Sequence, residues 1–139
     1  VKALRDAVAM EGLRGLVMLT PYDTGRARGN YQVTAGAPAE GYAPEKFDKT
    51  GQVAVASGEE VVAATKDPWA VIWIHNGVPY ITYLNDGTPP HEIRPRNARA
   101  LVFKDAQGNT VITGAVHHPG TPAFHMLEQT VDRLRRRFA

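Results

Sequence analysis

Three features of this 139-residue sequence predict an α+β fold, with helices packed on a mostly antiparallel sheet of short strands. Apolar residues recur at helical spacing at both ends of the chain. Between the ends lie short β-branched and aromatic runs of strand length, separated by glycine, proline and asparagine turns. Helices at the ends and strands in the middle keep the two element types apart, as in an α+β domain. The length suits one domain, residues 1–139, and a hydrophobic share of 43% is enough to build its core.

Residues 1–20 read as a long helix, with Leu4, Val8, Leu16 and Leu19 on one side. Gly12 and Gly15 lie near that side. Each weakens a helix by ~1 kcal/mol relative to alanine, a cost that close approach of a strand or a second helix would offset. Val1 falls inside the helical pattern with no initiator methionine, so further sequence is expected before it. Pro21 ends the helix, because the residue before a proline is pushed out of the helical region.

Asp23, Thr24 and Gly25 compose a turn, in which the two side chains would cap backbone N–H groups. Residues 26–34 then read as a strand, placing Arg26 and Arg28 on a common face. Residues 35–52 carry five glycines and prolines and little periodicity, and are expected to form an extended loop or arm. Residues 53–57 and 61–65 read as a hairpin around Gly58, and 69–74 as a buried strand. Residues 80–84 suit either a helical turn or a strand, and 85–90 a loop. Residues 100–104 and 110–116 are strands joined by the turn at 105–109. Finally, Phe124, Leu127, Val131, Leu134 and Phe138 make one helical stripe over 121–138, with Thr121 as N-cap and Pro122 at the first helical position.

Composition excludes several functions. The absence of cysteine removes disulfide scaffolds, thiolate zinc sites and cysteine nucleophiles, and fits a reducing compartment. The sequence has no apolar run of the ~18 residues that a membrane-spanning helix needs. Ser57 is the one serine and has no glycine elbow around it, so no nucleophile–base set can be assembled and no enzyme is expected. No phosphate-loop pattern and no cofactor motif is present. His117, His118, His125 and Glu128 are the one group with metal-ligand chemistry, but their spacing matches no zinc signature and no metal is expected.

The basic residues gather in clusters: Arg94, Arg96 and Arg99 in a loop, and Arg133, Arg135, Arg136 and Arg137 on the last helix. With a net charge of only +2, they suit a solvated surface or phosphate contacts better than a broad basic field. Tyr42, Phe47, Trp69 and Tyr80 are bulky residues beside flexible turns, the type that anchors subunit interfaces.

Three stretches together carry a resemblance. LTPYDTGRAR at 19–28, YLNDGTPPH at 83–91 and HPGTPAF at 118–124 are similar, in this order, to signature segments of the tail-completion and head-to-tail joining proteins of long-tailed bacteriophages. The resemblance implies a non-enzymatic structural protein of the virion neck or tail, assembled in the host bacterial cytoplasm. Such a protein completes the tail end and joins it to the head as an oligomeric ring, expected as a hexamer, around the DNA channel. Implied partners are further copies of the chain, neighbouring neck and tail-tube proteins, and genomic DNA touched without sequence preference at Arg94, Arg96 and Arg99; no cofactor and no membrane are implied. Asp23, Thr24, Gly25, Gly87, Thr88, His118, Pro119 and Gly120 would form the structural motif. The 35–52 arm, through Tyr42 and Phe47, would reach a neighbour. Two rival functions follow from the residues alone: a nucleic-acid-binding module gripping phosphates with its basic loops, and a small metal-dependent hydrolase using His117, His118 and His125.

Overall fold

The computed structural model of the chain describes residues 1–93, 101–104, 106–113 and 115–138. In chain order these form α1 (Lys2–Leu19), α2 (Arg26–Gly29), β1 (Tyr31–Ala35), α3 (Gln52–Ala64), β2 (Ile72–Asn76), α4 (Ile81–Asp86), β3 (His91–Ile93), β4 (Leu101–Lys104), β5 (Thr110–Thr113), β6 (Val116–His118) and α5 (Met126–Phe138). The class is α+β. The strands pair in three antiparallel couples, β1 with β2, β3 with β6 and β4 with β5. Among the described residues they do not join into one sheet.

The core lies where α1 meets α3 and β1. Met10, Leu13 and Val17 step by three and four along α1 and meet Tyr31 and Val33 of β1 and Ala54 and Val62 of α3. This face differs from the expected one, for Leu4 is exposed while Leu13 is fully buried. Of the two glycines of α1, Gly15 serves a close approach to α5, while Gly12 stands at ordinary contact distance from it. A Cβ on Gly15 would lie 3.2 Å from the Thr130 side chain, and one on Gly12 would lie 3.5 Å from Leu134 Cδ1.

Several local expectations are corrected. The 53–57 and 61–65 hairpin is the single helix α3. Its buried positions Ala54, Gly58 and Val62 are four apart, a helical repeat, and Gly58 is a packing point rather than a turn. The β-branched valines suggested strands, but burial against α1 and β1 outweighs their propensity. Residues 26–29 are a helical turn entered through Gly25, at φ 87°, so Arg26 and Arg28 share no strand face. The strand expected at 69–74 begins at Ile72, and Trp69, expected buried, is 77% exposed. Residues 81–86 are helical, taking Asn85 and Asp86 out of the expected loop.

The 35–52 segment is folded back on its own subunit instead of extending as an arm. Asn30, buried beside β1, accepts the Ala43 N–H at 2.6 Å and donates to the Ala43 carbonyl at 3.0 Å. Trp73 Nε1 donates to the Gly36 carbonyl at 3.0 Å, and the Asp48 N–H to Gly25 O at 3.0 Å. The segment is therefore fixed by polar bonds, a route that its lack of aliphatics does not block. Tyr42 and Phe47 stay exposed.

The last helix starts at Met126, not at Thr121. Residues 121–125 are not helical, His125 standing at φ 48°, because they pair with another segment: Thr121 bridges Thr88, and the N–H groups of Phe124 and His125 donate to the carbonyls of Leu84 and Asn85, each at 2.9 Å. The hairpin turn near 105–109 is as expected, with Gly108 at φ 83° between β4 and β5.

Candidate interaction surface

The three stretches that carry the family resemblance come together. Thr88 and Thr121 exchange two backbone hydrogen bonds, at 3.1 and 3.2 Å, and their hydroxyls lie 2.9 Å apart. Gly87 and Gly120 make this possible. Both have positive φ, and a Cβ on Gly87 would lie 2.9 Å from the Ala123 nitrogen, one on Gly120 2.9 Å from the Pro89 carbonyl carbon. Only glycine fits two backbones this close.

The first stretch closes the other side. Residues 21–27 face Tyr80, Leu84 and Phe124 across a cleft of about 490 Å³. A second hollow of about 420 Å³ shares those three side chains and adds Tyr83, Thr88, Thr121 and Pro122. Tyr83 is 59% exposed, and Tyr22, Tyr80 and Phe124 are also open to solvent. Walls of this kind, aromatic and aliphatic with the ionisable residues Asp23 and Arg26 on one side, bind by burying an apolar side chain.

The mouth is braced from behind by Asn85. Its side-chain oxygen accepts the Leu127 N–H at 2.9 Å, capping α5, and its amide donates to Glu128 Oε1 at 3.0 Å and to Asp86 Oδ1 at 2.9 Å. Glu128 is held below the usual glutamate range by its own backbone N–H, then by Asn85 and His125. His125 Nδ1 lies 3.6 Å from Glu128 Oε2, both side chains exposed.

The predicted site residues divide. Tyr80 lines the cleft, whereas Tyr42, Phe47 and Trp69 are not among its walls. Thr24 takes part in the expected turn by accepting the Arg26 N–H at 3.3 Å. Asp23, expected to cap alongside it, makes no side-chain bond among the described residues. His118 lies on β6 opposite His91, followed by Pro119 and Gly120 at the bridge. Arg94, Arg96 and Arg99 lie outside the described residues. Of the C-terminal arginines, Arg133 and Arg137 both reach Glu11 at 3.2 Å, and Arg136 pairs with Asp132. Among the described residues no group of three or more acidic, histidine or cysteine side chains could hold a metal ion.

Asn85, Tyr22, Tyr83 and Phe124 are not legible in the sequence as members of one surface. The signal was present in the shared motifs, but a turn and a helix stripe explained the same residues separately. The chain matches no family model, no curated protein and no solved structure.

Proposed function

We propose that this chain is a structural protein of the neck or tail of a long-tailed bacteriophage, which completes the tail end and joins it to the head as a ring of copies. The observation that carries this is the meeting of the three motif stretches around one exposed aromatic cleft. Turn residues that served only their own loops would have no need to converge. Residues that build a joint contact surface do, and Tyr83, Tyr80 and Phe124 supply the large rigid side chains that dominate such contacts. The Gly87–Gly120 crossing fixes the backbone beneath them, so the surface is formed before a partner arrives.

The test is the abundance of the chain in purified virions. A fixed stoichiometric copy number is expected, and its loss from particles carrying the Tyr83→Ala, Phe124→Ala double variant, while that protein still folds. Absence of the wild-type chain from virions overturns the proposal.

A further inference from the structure

A concavity of about 820 Å³ lies between α1 and α3, reaching the 49–52 segment. Its floor is aliphatic, formed by Val17, Met18, Val55 and Ala56, and Met18 is 64% exposed there. Arg14 and Lys49 stand in its walls, and neither side chain has a hydrogen-bond or ion-pair partner among the described residues. Glu59 is the one carboxylate in the lining among the described residues.

We propose that this groove docks an acidic amphipathic helix of a partner protein. Charge selects the sign: two unpaired cations beside an apolar floor complement a segment with an aliphatic stripe and flanking carboxylates. Backbone chemistry selects the conformation. Both long walls are helices whose N–H and C=O groups are spent on their own ladders, so an extended peptide finds no strand edge to pair with. A helix brings its own backbone bonds and needs only side-chain contacts. Nucleic acid fits less well, because the floor is aliphatic and one face of the Tyr22 ring is taken by the Arg28 guanidinium, 4.3 Å from its centroid.

The groove is also preformed. Arg28 donates to the carbonyls of Thr20 and Lys49 at 2.7 Å and of Met18 at 3.2 Å, tying the end of α1 to the 49–52 segment. A rigid receiving surface reduces the ordering cost of binding. This proposal does not rest on a role in the phage neck.

The experiment is an NMR titration of the isotope-labelled chain with a synthetic peptide of about four helical turns, with leucines at alternating three- and four-residue spacing and glutamates on both flanks. Saturable shifts are expected at Met18, Val55 and Ala56, weakening with added salt. Arg14→Gln with Lys49→Gln should weaken binding about fivefold to tenfold, as losing two exposed ion pairs does, with the thermal midpoint unchanged. Met18→Ala should weaken it while leaving the fold intact. No saturable shift, shifts confined to the Tyr80–Phe124 cleft, equal binding of a peptide with lysine for glutamate, or an unaffected double variant would each overturn the proposal. Concentration-dependent shifts at the same residues without peptide would assign the groove to a second copy and overturn it equally.

Discussion

The Tyr31 hydroxyl lies 2.7 Å from Thr20 Oγ1 inside the core, and Thr20 gives its own proton to the Leu16 carbonyl at 2.6 Å. Tyr31 is therefore the donor, joining the start of β1 to the end of α1. Tyr31→Phe should cost about 1 kcal/mol, the net worth of one such bond, measured by urea unfolding at neutral pH. Burial raises the Tyr31 pKa above the usual tyrosine value. A raised folded-state value means stability that is complete below the unfolded value and lost as pH rises through the folded one. The gap between wild type and Tyr31→Phe should accordingly shrink in alkali.

Two glycines should respond to alanine in opposite directions. At Gly58 a Cβ would collide with Leu13 and stand 2.8 Å from Val33 Cγ2, both buried side chains of the core. Gly58→Ala is expected to destabilise by ~1–3 kcal/mol, overpacking outweighing the gain in helix propensity. At Gly12 the same methyl meets Leu134 and Ile74 at 3.5 and 3.7 Å, ordinary contact distances. Gly12→Ala should stabilise by up to ~1 kcal/mol. Paired thermal melts decide both.

Thr130 is buried against Gly15, and its hydroxyl has no hydrogen-bond partner among the described residues. Thr130→Val keeps the shape and removes the stranded polar group. The variant should gain roughly 1 kcal/mol, read as a higher denaturant midpoint with an unchanged slope.

Two aspartates near turns should differ sharply. Asp48 Oδ2 accepts the Val53 N–H at 2.9 Å and the Ala54 N–H at 3.3 Å, capping α3 from outside the helix. Asp48→Ala should cost ~1–2 kcal/mol, as lost caps do. Asp23→Ala should stay within about 0.5 kcal/mol of wild type, since Asp23 caps nothing among the described residues. An assembly defect in that variant with unchanged melting would mark Asp23 as a contact residue.

Asn85 and Glu128 give a pH signature. Glu128 has a lowered pKa, so its contribution is present at neutral pH and lost as pH falls through the carboxylate range. Asn85→Ala removes one cause of that lowering together with the cap on Leu127. Its stability deficit should be largest near neutrality and narrow in acid, followed by unfolding at several pH values.

The ends of the fold were easier to read than its middle. The N-terminal helix was legible because a proline stops it, and the last one because its stripe is long. The buried face of α1 is hidden in the sequence because leucines lie on other sides of the helix as well as beside Met10, Leu13 and Val17. The helix α3 was hidden because its cap, Asp48, lies in a segment read as an arm, and because its buried small residues Ala54 and Gly58 carry no hydrophobic signal. Tyr80 was recognisable by composition. The cleft around it depends on the Thr88–Thr121 bridge, a long-range pairing that local patterns do not encode.

The cap on α5 comes from Asn85, far away in the chain, while Thr121, the residue expected to cap it, is committed to the bridge. The first turn of α5 is thus coupled to closure of the α4 junction. In native-state hydrogen exchange, the Leu127 amide should open together with Gly87, Phe124 and His125 as one cooperative unit, while the later turns of α5, held by α1, open separately. A ligand that tightens the Tyr80–Phe124 cleft would slow exchange at Leu127, making that amide a reporter of events on the surface in front of it.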